Sequence, residues 1–199
     1  LEDNKIKTLN AWELNWEDMS SSSDYIILGG HMGAYDTDKY EYLLPQKDWL
    51  SRSVRNGTKI LGICLGSQLV ADSLDGKAYL SDQIEFGFKE LNFVRNDEIF
   101  SDFIGTEVFT WHRDTFEIPS KGECIAETNF PQIYKINKTY CIQFHPEVTV
   151  ELFDKWYDSK VSKKELRNYD VQNTRNKLIK NENLLSKKVN NFYKKWKES

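Results

Sequence analysis

The stretch Lys59-Ile60-Leu61-Gly62-Ile63-Cys64-Leu65-Gly66-Ser67-Gln68 decides the fold of this chain. Its first half is a continuous apolar run, which is typical of a strand buried on both faces of a parallel sheet. Its second half opens a helical pattern that continues to residue 71. A strand that turns directly into a helix at Gly-x-Cys-x-Gly has the form of a nucleophile elbow, with cysteine as the nucleophile.

The spacing of the two glycines has a steric cause. A strand-to-helix reversal crowds the residues two before and two after the nucleophile, so both Gly62 and Gly66 must lack a side chain. The turn holds Cys64 in strained backbone geometry, and the N-terminus of the next helix favours the thiolate form of its side chain. The peptide N–H of Leu65 faces the same space and is predicted to help hold an oxyanion. Taken alone, Cys64 has a second interpretation, a buried structural thiol beside a glycine-rich turn.

Outward from the elbow, short apolar runs alternate with helical segments. Residues 25–28 form another continuous apolar run, and residues 40–55 space their apolar side chains as a crossover helix does. Together with residues 59–63 they make a βαβ unit. Further strands are predicted at residues 78–80, 88–94, 107–111, 124–127, 133–136 and 140–144, with a hairpin turn at Asn137-Lys138.

The pattern becomes helical after Pro146. Near the end, Leu185, Val189, Phe192 and Trp196 follow one another at steps of four, three and four, which predicts a helix face packed on the body. We therefore predict an α/β fold with a mostly parallel central sheet flanked by helices. Residues 1–158 are assigned to the domain that carries the elbow, and residues 159–199 to a helical C-terminal extension packed on the same domain.

Composition narrows the class of protein. The chain has 199 residues, of which 39% are hydrophobic and 29% charged, as in a globular domain. No apolar run is long enough to span a membrane, and the N-terminus lacks the shape of a signal peptide. Three cysteines without such a signal indicate a reducing cytoplasm. Cys124 and Cys141 lie inside predicted strands and are interpreted as structural.

Charge is distributed unevenly. Residues 159–199 carry twelve Lys and Arg against four Asp and Glu, although the whole chain has a net charge of −4. A basic tail on an acidic body could dock an acidic partner or nucleic acid. The charges are spread out rather than packed in a block, which favours a solvated helix surface. We therefore expect no nucleic-acid partner and no membrane partner.

A cysteine nucleophile needs a general base that later returns a proton to the leaving group. The histidines are His31, His112 and His145. His145 ends a predicted strand, and Glu147 follows two residues later, on the same side of an extended chain. The carboxylate can then orient one ring nitrogen while the other faces the thiol, as in a catalytic triad.

These motifs resemble those of the class I glutamine amidotransferase family. The similarity runs from about residue 25 to about residue 156, and it includes Ile27-Leu28-Gly29-Gly30, residues 61–68 and Gln143-Phe144-His145-Pro146-Glu147 in the family's order. Within the family the chain is similar to free-standing proteins that resemble the amidotransferase domain of GMP synthase. The signs are Tyr35-Asp36, Glu85-Phe86-Gly87 and the run from Trp111 to Pro119.

The resemblance implies a triad of Cys64, His145 and Glu147. It also implies an oxyanion hole from the backbone of Gly30 and Leu65, glutamine contacts around Gln68 and His112, and no cofactor or metal. Arg113 occupies a place where relatives often have Gly, in a segment expected to touch the amino-acid end of the substrate. His31 replaces a Pro and is interpreted as a tolerated loop residue. Residues 6–10 are expected to be the family's second strand, since a first one is absent.

Three functions remain open. The first is hydrolysis of glutamine through a γ-glutamyl thioester, with ammonia passed to an acceptor. Because no Gly-rich phosphate loop followed by Lys-Ser/Thr is present, this function requires a synthetase partner subunit or another acceptor. The second is a γ-glutamyl peptidase with the same triad, which the Arg113 departure favours. The third, a non-catalytic module, is disfavoured by the intact set of Cys64, His145 and Glu147.

Overall fold

The computed structural model of the chain describes residues 6–20 and 22–199. Its centre is a six-stranded sheet in the order β1-β2-β8-β7-β6-β4. The strands are β1 (Tyr25–Ile27), β2 (Ile60–Ile63), β4 (Asn92–Phe93), β6 (Glu123–Glu127), β7 (Pro131–Ile136) and β8 (Thr139–Ile142). The apolar runs at residues 25–28 and 59–63 therefore form strands, as the sequence predicts.

The α/β class is confirmed, but the sheet is mixed rather than mostly parallel. β2 pairs in parallel with β1 and β8, whereas β8, β7, β6 and β4 pair antiparallel in succession. Short connections explain the antiparallel pairing of β6 with β7 and of β7 with β8, because a tight turn can join only antiparallel neighbours. The predicted hairpin turn between β7 and β8 is confirmed, and Asn137 there has a φ of 53°.

Two apolar layers cover the sheet, one on each face. Helix α1 (Leu43–Arg55) and helix α2 (Leu65–Asp72) share a core with Ile60, Tyr134 and Cys141. The neighbouring strand residues Leu61, Ile133 and Ile142 point the other way, into a core that includes Phe192 and Trp196. Alternate residues of each strand thus serve opposite layers, which explains the continuous apolar runs.

A long two-stranded antiparallel ribbon lies beside the central sheet. It consists of β3 (Lys77–Glu90) and β5 (Glu107–Glu117). Separate strands at residues 78–80, 88–94 and 107–111 were expected, so the continuity of the ribbon is a correction. The pairing shifts between Leu80 and Glu85, where polar residues interrupt the apolar pattern that predicts a strand.

The prediction of a strand at residues 6–10 is wrong. These residues have no regular structure and are exposed, so they lack the buried face that stabilises a strand. Two short 3-10 helices follow, Ala11–Glu13 and Trp16–Asp18. Trp16 anchors this region. Its ring is buried, and the centroid of the ring lies 5.3 Å from that of Trp49 on α1.

The C-terminal part is helical: α3 (Val150–Tyr157), α4 (Lys160–Glu165) and α5 (Val171–Glu198). Helix α5 buries Leu178, Leu185, Phe192 and Trp196, which confirms the predicted apolar face. The ring of Phe192 stacks on that of Phe100 at 5.1 Å. Within the described ranges, none of the helices has both the length and the apolar character that crossing a membrane requires.

Candidate active site

Cys64 occupies the turn between β2 and α2, where the sequence predicts an elbow. Its φ of 50° and ψ of −109° are unusual for a residue with a side chain, and it is the N-cap of α2. The backbone N–H of Cys64 donates to the carbonyl of Ile142 at 2.7 Å, which ties the elbow to β8. Such backbone strain persists only where surrounding structure enforces it, and it is concentrated at functional sites.

Both flanking glycines are required by close backbone contacts. A Cβ on Gly62 would lie 2.8 Å from the carbonyl oxygen of Gly66. A Cβ on Gly66 would overlap the carbonyl oxygen of Ile27 on β1. The elbow therefore forms with glycine at these two positions, for the steric reason that the spacing indicates.

His145 and Glu147 are joined by a hydrogen bond. Nδ1 of His145 lies 2.8 Å from Oε1 of Glu147, and Nε2 lies 3.3 Å from the carbonyl oxygen of Trp111. Both partners are acceptors, so the ring satisfies both contacts only when each nitrogen carries a proton. The geometry therefore favours the imidazolium form of His145.

Electrostatics favour the same form. Burial lowers the pKa of His145, but the negative charges of the Cys64 thiolate and the Glu147 carboxylate outweigh burial and raise this pKa well above its usual range. The buried ring lies among aromatic side chains, with its centroid 4.8 Å from that of Trp156 on α3.

The loop after β1 borders both reactive side chains. A Cβ on Gly29 would lie 3.4 Å from Cβ of Cys64 and 3.6 Å from Cε1 of His145. The structure thereby brings Cys64 and His145 to one side of the same loop. Gly30 follows, and a Cβ there would lie 2.9 Å from Cδ2 of Leu65. Leu65 is the first residue of α2, so the helix itself does not use its N–H.

The predicted substrate residues Gln68 and His112 are buried and bonded within the protein. Nε2 of Gln68 donates to the carbonyl of Asp114 and to Oε1 of Gln143, both at 3.1 Å. The ring of His112 lies 3.0 Å from the same Asp114 carbonyl through Nδ1 and 3.0 Å from Oε2 of Glu85 through Nε2. These side chains support β5 and the elbow from inside.

Arg113 lies on the exposed side of the same strand. Its Nε donates to the carbonyl of Ser81 at 3.3 Å. Beside it, the hydroxyl of Tyr35 donates to Oδ1 of Asp114 at 3.2 Å. Burial and the nearby charge of Asp114 raise the pKa of Tyr35 to about 12, so this hydroxyl keeps its proton. Together these side chains form a polar surface above the predicted substrate segment.

The remaining histidine and cysteines lie outside this arrangement. His31 is exposed, and its Nε2 lies 3.1 Å from the hydroxyl of Tyr40. Cys141 is fully buried on β8, and burial raises its pKa to about 12. Cys124 on β6 is partly buried, and burial also raises its pKa. Neither thiol is suited to attack a substrate near neutral pH.

Two neighbours of the site were not predicted from the sequence. Nε2 of Gln143 donates to Sγ of Cys64 at 3.6 Å, and the carbonyl of Trp111 faces His145. Gln143 precedes His145 by two residues, so extended geometry could have placed both on one side of the chain. Because every residue has a backbone carbonyl, the sequence does not indicate that the carbonyl of Trp111 faces His145. Across residues 6–20 and 22–199, no group of three or more His, Cys, Asp or Glu side chains could hold a metal ion.

Comparison with known proteins places this chain in a family. The family model for class I glutamine amidotransferases matches residues 4–161. A glutamine amidotransferase-like protein of Acanthamoeba polyphaga mimivirus is 30% identical over 154 residues, covering 76% of this chain and 69% of the relative. The chain belongs to the class I glutamine amidotransferase family, as its motifs predict.

The similarity extends to GMP synthases and to solved structures. The GMP synthase of Brachyspira hyodysenteriae is 35% identical over 130 residues, which cover 62% of this chain and 24% of that enzyme. The chain thus matches about a quarter of the length of that synthase. A glutamine amidotransferase structure from Thermotoga maritima superposes with a TM-score of 0.78 and 26% identity, covering 87% of this chain and 78% of that one.

Proposed function

We propose that the protein hydrolyses the side-chain amide of glutamine through a γ-glutamyl thioester on Cys64 and releases ammonia for an acceptor. The observation that carries the proposal is the strained elbow thiol beside a histidine that Glu147 orients. This arrangement supplies an activated nucleophile, an acid–base group and an orienting carboxylate. The cost of holding Cys64 at positive φ is consistent with a chemical role for the thiol.

In the proposed first half-reaction, the Cys64 thiolate attacks the carbonyl carbon of the amide. A C–S bond forms, and the carbonyl oxygen becomes an oxyanion that the N–H groups of Gly30 and Leu65 stabilise. The imidazolium of His145 gives its Nε2 proton to the amide nitrogen. The C–N bond then breaks and ammonia departs. The γ-glutamyl group remains bound to the sulfur as a thioester.

In the second half-reaction, neutral His145 takes a proton from water as the water attacks the thioester. The C–S bond breaks, glutamate leaves, and the thiolate–imidazolium pair is restored. Glu147 holds the ring orientation through both steps, since its carboxylate accepts from Nδ1. No cofactor or metal enters either step.

We assign substrate contacts to the strand segment at residues 111–114, and to Gln68 the role of holding that segment, since its Nε2 donates to the Asp114 carbonyl. Because the ring of His112 is bonded to Glu85 and to the Asp114 carbonyl, its contribution is to hold this strand in place. The exposed guanidinium of Arg113 lies where the amino-acid end of the substrate is proposed to bind. Glutamine or a related γ-glutamyl compound is the proposed ligand.

A synthetase partner subunit is the proposed acceptor of the ammonia. Support comes from the matched GMP synthases, which are much longer than the region they share with this chain. An acceptor site of the kind that such an enzyme carries is proposed to receive the ammonia released at Cys64. We place the protein in the cytoplasm, since free thiols at Cys64, Cys124 and Cys141 suit a reducing compartment.

A γ-glutamyl peptidase is the second candidate, and exposed Arg113 is the observation that favours it. A guanidinium there could pair with a carboxylate on a substrate longer than glutamine. The two candidate functions use the same triad and the same thioester. They differ only in the group that leaves, which is ammonia in one and a larger amine in the other.

Product analysis separates the candidates. The protein is incubated with glutamine and with γ-glutamyl dipeptides, and the products are identified by mass spectrometry, with Cys64→Ala as control. Glutamate and ammonia from glutamine support the amidotransferase. Efficient cleavage of dipeptides with slow glutamine turnover supports the peptidase. Equal turnover by Cys64→Ala would reject both.

A further inference from the structure

A buried chain of hydrogen bonds ends at the sulfur of Cys64. It begins at the backbone carbonyl of Asp114 on β5, passes through the side-chain amides of Gln68 and Gln143, and reaches Sγ. Gln68 is 2% exposed and Gln143 is 0% exposed, so water does not compete for these bonds. These hydrogen bonds connect the nucleophile to β5, the strand that is proposed to contact the substrate.

The direction of every bond in this chain follows from its first acceptor. A backbone carbonyl can only accept, so the group of Gln68 that faces Asp114 must be the amide nitrogen. The other N–H of that nitrogen points at Gln143, which must therefore present its oxygen. The nitrogen of Gln143 is then left facing Cys64, 3.6 Å from the sulfur.

We propose that Gln143 is a further catalytic residue, which donates a hydrogen bond to the Cys64 sulfur and stabilises its thiolate, and that Gln68 is a positioning residue that holds Gln143 in this orientation. The inference rests on the proposed function, in which Cys64 is the nucleophile. A donor aimed at a charged, buried sulfur favours the charged form over the neutral thiol.

The position of Gln143 in the fold suits this role. Its backbone N–H donates to the carbonyl of Gln132 on β7 at 2.8 Å, so the residue is fixed to the sheet. It follows Ile142, whose carbonyl accepts from the backbone N–H of Cys64. The amide and the thiol thus project from two adjacent, mutually bonded segments. The charged groups on the other side of the thiol are His145 and, behind it, Glu147.

The test measures the thiol directly rather than substrate turnover. Iodoacetamide alkylates thiolates by forming an S–C bond and expelling iodide, so its rate against pH reports the thiolate fraction. The burial-raised pKa values of Cys124 and Cys141 keep these thiols protonated near neutral pH. Peptide mapping after alkylation assigns the label to Cys64.

The variants are Gln143→Met and Gln143→Leu, which both remove the N–H donor and add no charge beside the sulfur. We expect the pH of half-maximal alkylation to rise by about one unit, and the rate near neutral pH to fall about tenfold. Gln68→Met frees Gln143 to rotate and should move the midpoint in the same direction by less. Gln46→Met is the control. It removes another buried side-chain amide, on α1, that is not part of the hydrogen-bond chain, and it should leave the pH of half-maximal alkylation unchanged.

Thermal melts of each variant separate the proposed role from a structural one. If either Gln143 variant folds and its alkylation midpoint equals that of the wild type, the proposal is overturned, even if its stability has fallen. Should Gln143→Met fail to fold, Gln143→Leu and Gln68→Met decide the question. A wild type that labels at Cys64 but turns over no γ-glutamyl substrate contradicts the proposed function and not the thiolate contact.

Discussion

Gly66 lies so close to Ile27 that a Cβ on the glycine would overlap the isoleucine carbonyl oxygen. This contact packs the first turn of α2 directly against β1. It thereby fixes the position of Cys64, which is the N-cap of that helix. The loop that follows β1 is thereby brought against the thiol. One backbone contact thus connects the glycine spacing in the sequence to the geometry of the site.

Replacing Gly66 by alanine should destabilise the protein strongly, because the contacting atom belongs to a backbone that cannot move aside. We expect a loss of about 3 kcal/mol or more in the free energy of unfolding, measured by urea denaturation. Gly105→Ala is the control. Gly105 has a positive φ of 65°, which Gly66 does not, and an added Cβ there meets no atom within 4 Å, so this variant measures backbone strain without a steric clash. Equal losses in the two variants would contradict the steric account.

Substitutions at Cys64 should separate chemistry from stability. Cys64→Ala removes the nucleophile and should abolish amide hydrolysis. Cys64→Gly should be equally inactive but more stable than Cys64→Ala by about 1 kcal/mol, because glycine tolerates a φ of 50°. Differential scanning calorimetry of the two variants gives the comparison. An alanine variant that melts above the glycine variant would show that the elbow is not strained.

Glu147→Gln should lower the activity by about ten- to a thousandfold and should narrow the pH profile. Burial lowers the pKa of His145, while the charges of Cys64 and Glu147 raise it. The imidazolium is present below that raised pKa and is lost as pH rises through it, which ends proton donation to the leaving ammonia. Removing the Glu147 charge lowers this pKa, so the alkaline limb of kcat/KM should move to lower pH.

Ammonia release measured across the pH range checks this sign. Glu151→Gln serves as the control, since Glu151 is an exposed carboxylate paired with Lys155 on α3. An alkaline limb that stays in place in Glu147→Gln, or moves upward, would show that Glu147 does not hold the charge of His145.

Arg113 distinguishes the two substrate classes. If its guanidinium binds a carboxylate on a longer substrate, Arg113→Gly should raise KM for a γ-glutamyl dipeptide about tenfold and leave glutamine hydrolysis nearly unchanged. Arg167→Gly, which removes another exposed arginine, should alter neither. Parallel changes for both substrates would mark Arg113 as a surface residue, and the peptidase would lose its support.

The parts of the fold that depend on neighbouring residues could be predicted from the sequence. Two glycines around Cys64 specify the elbow because their clashes arise within one turn and its adjoining strand. The His145–Glu147 pair follows from the two-residue period of an extended chain.

Other parts depend on distant contacts and could not be predicted in this way. The ribbon of β3 and β5 continues through polar residues because each strand pairs with the other. The inward orientation of Gln68 and His112 depends on contacts across the fold, from Gln68 to the Asp114 carbonyl and from His112 to Glu85. A family motif marks such residues without saying which partner they face.

The central claim is that Cys64 forms a γ-glutamyl thioester, and the most direct test is mass spectrometry of the acid-quenched protein during turnover of glutamine. We predict that the Cys64 peptide gains the mass of one γ-glutamyl group, and that this adduct accumulates in Glu147→Gln, where hydrolysis of the thioester is slowed. The adduct should be absent from Cys64→Ala. Turnover of glutamine with the adduct on Cys124 or Cys141, or with Cys64→Ala fully active, would contradict the account.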